Sequence, residues 1–580
     1  HLIHLVEKVF LFVASLQKVR ECLEYPDHVN LFHLFSFQSI LNIMLSINFH
    51  CRLLGLLLLL VGGFSSASAQ TDLFGPAPVA FEDSSHLVSA TMFHWYASTG
   101  GQLTGPWRPV EGRENWTGLP PWWKTQIQQI MAANIDMLYV HLIPQTEERR
   151  LTLFTAFSEL RAEGYDVPKI APFLDPLITW DGQPKVDVAT QAGKDTVAAQ
   201  YIRFYRQYFS TNTDPFAADY LAYIDNRPVL DTWHVFLNLD NVDSMKREDL
   251  SSRLGAEFGQ IDNRFNQGIY MVTTALNVPI YSFSDERVIQ FELNTYFHET
   301  TFNGIKSVQL KAGYWDQNVR NPGDFLPRDG GIHFADAWDQ IDSTVDRIYI
   351  ESWNEYDEGT GIYAGDVGLP YLHPGSGNTS TDTWSSTNDP YEYIHTTAQG
   401  AAKFNDYPAL NSRLLRQDVQ VNMRPNESSN ATFRIRNEGN ETWSNARGVS
   451  FQQLATDPVQ FANAPGTLDD SQNDIPIFGG IFKGRPVDFA MNLTAPLATG
   501  IYDTHWQMMK NDTAFGPEIT ISIEVSGFPV SVTDPAFLQQ AVTLESAPNP
   551  ATDFTQFTFE LPVRAEDLSL KVYDMMGREI

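Results

Sequence analysis

From about residue 86 to residue 410, the chain alternates short apolar runs with stretches in which apolar residues recur at helical spacing. The apolar runs are Val88–Tyr96, Met137–Ile143, Lys169–Asp175, Pro228–Leu239, Ile269–Thr274, Ser307–Tyr314 and Arg347–Trp353. The amphipathic stretches between them include Trp123–Ala133, Thr152–Glu163 and Thr196–Phe209. Repeated strand–helix units of this kind predict an α/β fold, a (β/α)8 TIM-like barrel with its active site at the C-terminal strand ends. A doubly wound open sheet is the alternative, but no Gly-rich phosphate loop follows the first run.

After Gln417 the pattern changes to alternation of apolar and polar residues, with no amphipathic helix between the runs Ala431–Arg436, Val487–Leu493 and Ile519–Val525. This pattern predicts an all-β, Ig-like sandwich over residues 418–526. Val530–Gln540 has the composition of a linker. Residues 541–580 are again rich in strand-forming residues, and we expect them to be the first part of a truncated β-rich domain.

The first methionine is at position 44, and residues 44–69 have the pattern of a secretory signal peptide. Leu53–Val61 form its apolar core, and Ala67–Ala69 supply small residues before a cut at Gln70. The apolar core is too short for a spanning helix, so we expect a secreted protein with no membrane span in its mature form. Residues 1–43 are then upstream translation, or a second apolar segment of a longer leader.

Charge and composition narrow the classes of function. The 580 residues include 70 Asp and Glu against 39 Lys and Arg, a net charge of −31, which argues against a nucleic-acid partner. The 13 Trp and 22 Tyr, together with carboxylates, suit the binding of neutral sugars, although an acidic soluble surface explains the charge equally well. The only cysteines, Cys22 and Cys51, precede Gln70, so we expect no disulfide and no cysteine metal site.

The strongest candidate for chemistry is the segment Ile348–Thr360, in which an apolar run delivers Glu355 and Glu358 onto a loop that contains Gly359. Hydrolysis of a glycosidic bond requires one group to protonate the leaving oxygen and a second group to act at the reacting centre. Two acidic side chains held close together meet that need. The alternative is a solvated acidic loop, or a carboxylate pair at the start of a helix.

Four blocks of this sequence resemble glycoside hydrolase family 99, the endo-α-mannosidase and endo-mannanase group. The string Asn354–Thr360 resembles the family's Asn-Glu-aromatic-x-Glu-Gly-Thr motif, and Met92–Tyr96 resembles its opening strand. Leu119–Pro144 resembles its next helix and strand, and Gly313–Asp316 followed by Arg320 resembles a late strand. The resemblance covers about residues 86–400 of this chain.

The resemblance implies a retaining glycoside hydrolase that cleaves an α-linked, mannan-like polysaccharide or oligosaccharide. It implies that Glu355 deprotonates the sugar 2-hydroxyl to give a 1,2-anhydro intermediate and that Glu358 protonates the leaving oxygen. We therefore expect Glu358 to be the more desolvated of the two, or to have its pKa raised by Glu355. The sequence departs from the family at His94 and at Gly361–Tyr363, where the family has other residues.

Further candidate substrate-binding residues lie at or near the ends of apolar runs, where a barrel binds its substrate, or within the acidic motif. They are His94, Trp95, Tyr96, His141, Asp175, Trp233, Tyr314, Asp316 and Asn354. The histidines and the aromatic residues are equally consistent with core packing, and Asp175 with the start of a turn. No metal-ligand spacing and no Gly-x-Ser-x-Gly elbow is present, so we predict no metal, no other cofactor and no esterase chemistry.

Two further resemblances concern the C-terminal part. Residues 418–526 resemble a tryptophan-containing Ig-like module, in which Trp443 and Trp506 would fill the core. Pro548–Asp553 and Leu570–Glu579 resemble the C-terminal sorting domain of the type IX secretion system. That resemblance implies the type IX secretion machinery as a partner, with the protein secreted or attached to the cell surface.

Two other classes of function remain open from the sequence. One is a non-catalytic surface glycan-binding or adhesion protein built on the same barrel. The other is a domain associated with glycosyltransferases, against which the export signal argues. The first is distinguished from a hydrolase by whether Glu355 and Glu358 converge in an open, aromatic-lined cleft at the strand ends.

Overall fold

A computed structural model describes most of the chain from residue 81 to residue 527. The described ranges are 81–98, 103–143, 147–214, 216–234, 238–274, 281–289, 294–320, 322–372, 382–468 and 477–527, with the backbone of 543–547 and 556–560. All of them fall within one compact unit, Ser68–Ile580. The predicted signal peptide, the linker and most of the predicted sorting domain lie outside the described residues.

Nine strands follow one another in the sheet of the first domain. In chain order they are β1 Leu87–Met92, β2 Met137–His141, β3 Lys169–Leu174, β4 Arg227–Trp233, β5 Tyr270–Thr274, β6 Glu286–Val288, β7 Phe297–Phe302, β8 Ile305–Lys311 and β9 Arg347–Glu351. A short strand, Tyr223–Ile224, pairs with β4 outside this series. Their largely buried, β-branched and aromatic side chains explain why these segments form strands.

The sheet is nearly closed and mixed. Its spatial order is β7-β8-β9-β1-β2-β3-β4-β5-β6, and every pair is parallel except β7 with β8. Ser307 on β8 donates a hydrogen bond of 3.0 Å to Glu286 on β6, so the two ends of the parallel series meet. The antiparallel pair turns at Asn303 and Gly304, both at positive φ, and Asn-Gly is a typical two-residue hairpin turn.

Six longer helices belong to this domain: α1 Pro120–Ala132, α2 Glu147–Ala162, α3 Gln191–Thr211, α4 Arg247–Phe258, α5 Ile332–Asp339 and α6 Glu392–Phe404. The predicted α/β class is confirmed, and α1, α2 and α3 cover the three amphipathic stretches named above. The regular (β/α)8 pattern is confirmed only in part, because no helix is described between β5 and β7 and because β7 is antiparallel. Among the described residues, none of the helices has both the length and the hydrophobicity required to cross a membrane.

The first predicted run, Val88–Tyr96, ends as a strand at Met92. Beyond Met92, the Phe93 backbone exchanges hydrogen bonds with the side chain of Asn354 instead of with a neighbouring strand. A side chain from a distant loop therefore ends the strand, which the local pattern could not indicate. The turn that follows β1 carries the residues His94, Trp95 and Tyr96.

The second domain is an all-β sandwich of two four-stranded sheets. Its longer strands are β10 Ser412–Asp418, β11 Ser428–Asn437, β12 Val449–Gln453, β13 Pro486–Thr494, β14 Gly500–Lys510 and β15 Thr513–Val525. Trp443 and Trp506 are fully buried in its core, as predicted, together with Phe433, Phe451 and Phe489. Farther along the chain, Thr543–Ala547 and Gln556–Glu560 form an antiparallel pair.

The sandwich packs directly against the barrel. Ile477 and Phe482, from the segment that leads into β13, belong to the hydrophobic core of the barrel. Polar contacts reinforce this packing: Asn134 donates to Asn440 at 2.8 Å, and Arg434 donates to the Glu163 carbonyl at 2.7 Å. The two domains therefore share an apolar and hydrogen-bonded interface.

Candidate active site

The acidic loop follows β9 and is fastened to the segment after β1. The Asn354 amide accepts a hydrogen bond from the Phe93 N–H and donates one to the Phe93 carbonyl, both at 2.8 Å. The Trp353 N–H donates to the Thr91 carbonyl at 2.8 Å. Because β9 and β1 are parallel neighbours, their C-terminal ends meet at the same edge of the sheet. The loop is thereby held at the edge where barrels carry their sites.

Glu355 is partly buried and contacts two hydroxyl-bearing residues of this edge. The Tyr96 hydroxyl donates a hydrogen bond to the Glu355 carboxyl group, and the Glu355 N–H donates to the Ser352 Oγ at 2.6 Å. Burial, and then the negative charge of Glu358, raise the pKa of Glu355 well above its ordinary value. The unliganded protein therefore favours a protonated Glu355.

Glu358 has a cation as its partner. Arg320 donates a hydrogen bond of 2.7 Å from Nη2 to the Glu358 carboxylate, of which 17% of the side-chain surface is exposed. Burial raises the pKa of Glu358, while the charge of Arg320 and its hydrogen bond act to lower it. The ion pair with Arg320 therefore stabilises the ionised form of Glu358. Glu355 receives no such charge from its partner, the hydroxyl of Tyr96.

We expected Glu358 to be the more desolvated of the two, or to have its pKa raised by Glu355. Burial raises the pKa of both residues, and at Glu358 the charge of Arg320 acts against that rise. Arg320 compensates the charge of Glu358, whereas the Glu355 carboxyl group accepts a hydrogen bond from the neutral hydroxyl of Tyr96. Since the two carboxyl groups interact, their protonation belongs to the pair and not to either residue alone.

Arg320 is oriented by two other residues that were predicted from the sequence. Its Nη1 donates to the Asp316 carboxylate at 2.6 Å and to the Tyr314 hydroxyl at 3.1 Å. Tyr314 in turn donates to Asp316 at 2.9 Å. The predicted pair Tyr314 and Asp316 is thus connected to Glu358 through Arg320. Arg320 was quoted in the motif but was not predicted as a site residue.

Two further contacts hold the loop in place from behind. Asp357 accepts hydrogen bonds from the Thr104 N–H at 2.8 Å and from the Thr104 hydroxyl at 3.0 Å, and burial raises its pKa to about 6. The buried Arg328 donates to the carbonyls of Gly359, at 2.9 Å, and Gly361, at 2.6 Å. Its guanidinium group also lies over the rings of three aromatic side chains, Trp107, Trp384 and Tyr393.

A second cluster occupies the ends of β1 to β4. The His141 Nε2 lies 3.5 Å from the Asp175 carboxylate, and the His141 and Trp95 rings meet edge to face. Burial lowers the pKa of His141, so the neutral imidazole is favoured. Asp175 also accepts hydrogen bonds from the N–H groups of Leu177 and Ile178 at the start of a short helix. Asp175 therefore both starts a turn and contacts a histidine.

Trp233 lies at the end of β4, where its ring and that of His234 are in contact, with centroids 4.1 Å apart and planes tilted by 42°. His234 has a positive φ of 43°, which is uncommon outside glycine, and burial lowers its pKa while Asp175 acts to raise it. Asp175 thus connects this aromatic pair to the cluster of His141. The sequence analysis did not single out His234, and a histidine after an apolar run is the only signal that could have indicated it.

The structure thus divides the predicted site residues into three groups. Tyr96 with Glu355, and Tyr314 and Asp316 with Glu358 through Arg320, form two hydrogen-bonded sets that interact through the charges of the two glutamates. Trp95, His141, Asp175 and Trp233 belong to the second cluster. Asn354 fastens the loop, and His94 is fully buried beside Trp95. Among the described residues, no group of three or more His, Cys, Asp or Glu side chains is arranged to hold a metal ion.

Comparisons with known proteins agree with the sandwich and are weak for the barrel. Residues 418–525 match the family described as the Ig-like domain from next to BRCA1 gene. No curated protein matches this chain.

Two solved structures of the GH99 endo-alpha-mannosidase from Bacteroides thetaiotaomicron are similar at 15% identity, with TM-scores of 0.38 and 0.37. Each similarity covers 56% of this chain and 99% of the mannosidase. A glycosyl hydrolase family 2 member from Bacteroides cellulosilyticus is similar at 9% identity with a TM-score of 0.27, covering 78% of this chain and 65% of that protein. At these values, the similarities support no inference about the activity of this chain.

Proposed function

We propose that this protein is a glycoside hydrolase that cleaves an α-linked, mannan-like polysaccharide or oligosaccharide with Glu355 and Glu358. The observation that carries the proposal is that the two carboxyl groups interact at the C-terminal edge of the barrel and have different partners, the Tyr96 hydroxyl for Glu355 and the Arg320 guanidinium for Glu358. Paired carboxyl groups whose environments separate their pKa values are what general acid–base catalysis at a glycosidic bond requires. The resemblance of Asn354–Thr360 to a glycosidase motif supports the same reaction.

In the proposed reaction, one carboxylate takes the proton of the sugar 2-hydroxyl while the other carboxyl group gives a proton to the leaving glycosidic oxygen. The 2-oxygen attacks the anomeric carbon as the glycosidic bond breaks, which gives a 1,2-anhydro sugar. Water then attacks the anomeric carbon from the opposite face and opens this ring. The first carboxyl group returns its proton to the 2-oxygen, and the second, now a carboxylate, takes a proton from the water. The net result is hydrolysis with retained configuration and no cofactor.

The roles of the two residues depend on where the proton lies when substrate is bound. The resemblance assigns the base to Glu355 and the acid to Glu358. The contacts within the protein act in the other direction, because Arg320 stabilises the charge on Glu358 and the burial of Glu355 favours its protonated form. Glu358 can act as the acid only if the proton passes to it when the sugar enters, for instance because the sugar separates Glu358 from Arg320.

The second cluster supports a place for the sugar chain beside the acidic pair. Trp95 and Trp233 are partly exposed at this edge, whereas His141 and Asp175, 3.5 Å apart, are buried. Partly exposed aromatic rings are surfaces on which sugars stack. We propose that Trp95 and Trp233 contact the substrate and that His141, whose ring packs against Trp95, helps to position it.

The second candidate is a non-catalytic glycan-binding or adhesion protein. The ion pair between Arg320 and Glu358 favours this alternative, because a carboxylate compensated by a cation is a poor proton donor. We also propose that the protein is exported by a signal peptide and then by the type IX machinery to the outside of the cell. N-terminal sequencing of the exported protein should then find Gln70 at its start.

The decisive experiment is a screen of the full chain against α-mannans, other α-glycans and sulfated polysaccharides, with the product anomer followed by NMR. The protein with both Glu355→Gln and Glu358→Gln is the control. Release of an α-configured product from an α-linked chain, lost in the control, supports the proposal. Binding of a glycan without product, identical in both proteins, supports the adhesion protein and refutes the hydrolase.

A further inference from the structure

A cavity of about 700 Å³ lies beside the acidic loop and is not used by the proposed reaction. Two segments form its walls, one around residues 103–114 and one around residues 365–367. They are joined by hydrogen bonds from the Val110 N–H to the Ala364 carbonyl, at 3.0 Å, and from the Asp366 N–H to the Arg108 carbonyl, at 2.7 Å. The cavity is therefore built from paired backbone and not from a single loop.

Two arginines of this cavity converge on one aromatic ring. The guanidinium groups of Arg108 and Arg113 lie 4.6 Å and 5.7 Å from the centre of the Tyr371 ring. Among the described residues, neither guanidinium group forms a hydrogen bond or an ion pair. Stacking on a ring leaves the N–H donors of an arginine free, and each guanidinium has five of them.

The backbone that carries the Tyr371 ring is held in place. The Tyr371 N–H donates to the Pro106 carbonyl, and Asn318 donates to the Tyr371 carbonyl at 2.8 Å. Asn318 also donates to the Thr104 carbonyl at 2.9 Å. The two arginines therefore stack on a fixed platform, which reduces the entropy that they lose on binding a ligand.

The carboxylates of the cavity do not neutralise the two arginines. Asp366 accepts a hydrogen bond of 3.0 Å from the Gly368 N–H, and Glu114 is exposed. Neither forms an ion pair with Arg108 or Arg113. In a chain with a net charge of −31, two guanidinium groups on one ring, neither of them in an ion pair among the described residues, are a local exception to the overall charge.

The cavity is close to the candidate active site. Ser98, which lines it, is two residues from Tyr96, the partner of Glu355. Burial raises the pKa of Tyr356 and of Asp357, and in both cases the charge of Arg113 acts in the opposite direction. The charge of Arg113 therefore acts on the loop between Glu355 and Glu358.

We propose that this cavity is an anion-binding subsite that takes a sulfate or carboxylate substituent of the polysaccharide whose backbone lies at Glu355 and Glu358. Arginine forks match the oxygens of sulfate and carboxylate groups, and such charge-assisted hydrogen bonds are stronger than neutral ones. The substrate class is then an acidic α-glycan, not a neutral one. This inference rests on the proposed function for the position of the backbone.

Calorimetry on the full chain with Glu355→Gln, which prevents turnover, tests the subsite with three forms of α-mannan and α-glucan oligosaccharides: neutral, O-sulfated and oxidised to uronate. We expect the sulfated or oxidised form of one backbone to bind at least about tenfold more tightly than the neutral form, with the advantage falling as salt rises. Arg108→Gln and Arg113→Gln should remove this advantage and leave binding of the neutral form unchanged. Arg416→Gln, an exposed arginine of the sandwich, is the matched control and should change neither.

The results separate the sources of the anion and the two proposals. A gain with sulfated chains alone assigns a sulfate ester, and a gain with oxidised chains alone assigns a uronate. Equal affinity for neutral and acidic chains on both backbones, an advantage that survives both arginine variants, or binding of inorganic sulfate with no gain for acidic sugars overturns the subsite. Circular dichroism checks that each variant is folded, and Arg113→Lys, which keeps the charge, should retain part of the advantage. Charge-dependent binding without turnover by the unsubstituted protein would refute the hydrolase and leave the subsite intact.

Discussion

The edge of the barrel and the core of the sandwich differ in what they bury. At the barrel edge, Glu355, Glu358 and Asp316 are removed from water to a large extent, and each has a specific partner. In the sandwich, the interior is filled by Trp443, Trp506 and other apolar side chains. Buried charge costs free energy unless it is paired, whereas buried rings stabilise the fold directly. The barrel edge therefore retains groups that a purely structural core would exclude, which is consistent with chemistry at that edge.

The largest effect is expected from neutralising the acidic pair, which tests whether the buried carboxyl groups of the barrel edge carry out chemistry. Glu355→Gln and Glu358→Gln keep the shape of each side chain and remove its proton transfer, so we expect each to lower kcat by about 10²–10⁴-fold. With an activated aryl glycoside, whose leaving group needs little acid help, Glu358→Gln should be partly rescued and Glu355→Gln should not. Rescue of Glu355→Gln instead would assign the acid to Glu355. If both variants turn over normally, the pair is only a buried acidic loop.

The corresponding change in the sandwich should affect stability and not chemistry. Trp506→Ala removes a fully buried ring that stacks on Phe451 at 6.0 Å, and we expect a loss of about 3–5 kcal/mol in the free energy of unfolding of the sandwich. Denaturant unfolding followed by fluorescence measures this loss. Ile501→Ala, at an exposed residue of the same strand, is the control and should change stability little. A loss of turnover by folded Trp506→Ala protein, with stability unchanged, would contradict the division of roles.

The sandwich core and the acidic pair are the two features that could be predicted most directly from the sequence. Alternation of apolar residues predicted the sandwich, because burial on one face of a strand follows from period 2, and the resemblance to a tryptophan-containing Ig-like module predicted the burial of Trp443 and Trp506. The acidic pair was predicted since its residues lie three positions apart. The contacts of Tyr96 with Glu355 and of Arg320 with Glu358 join distant parts of the chain, so no local pattern shows them. The hairpin at Asn303 and Gly304 had a local signal, the Asn-Gly pair, which was missed.

A smaller effect should come from the residue that makes the two glutamates unequal. Arg320→Met removes the charge that lowers the pKa of Glu358, so this pKa should rise. In a pH profile of kcat/KM, the alkaline limb should shift to higher pH if Glu358 is the acid. The acid limb should shift to higher pH if Glu358 is the base. Arg320→Lys should shift the limb less. A profile that moves at neither limb would mean that Glu358 does not titrate in the reaction.

The smallest effect concerns the sandwich, where one charged pair lies outside the apolar core. The hydrogen bond to Asp457 raises the pKa of His505 above its ordinary value of 6.5. Burial acts to raise the pKa of Asp457, but hydrogen bonds from His505 and Gln453 outweigh it and lower the pKa below 3.8. The contribution of His505 is complete below pH 6.5 and is lost as pH rises through its folded pKa. That of Asp457 is present above pH 3.8 and is lost as pH falls through its folded pKa.

We therefore expect the difference in Tm between the unsubstituted protein and His505→Gln to be largest between about pH 4 and pH 6.5 and to shrink on both sides. Thermal unfolding at a series of pH values measures it. His333→Gln, on the barrel helix α5 and near Asp329 at 3.8 Å, gives the matched control. A difference that is constant from pH 3 to pH 9 would show that the pair has no electrostatic role.

The interface between the barrel and the sandwich has a practical consequence for dividing the chain. Ile477 and Phe482 are part of the barrel's own core, so a recombinant fragment that ends just before β10 would expose the apolar surface that they cover. We expect such a fragment to aggregate or to express poorly. Two domains that fold independently would not behave in this way. A fragment that ends after residue 527 keeps this surface covered. It is shorter than the full chain, and crystallisation and enzymology should begin with it.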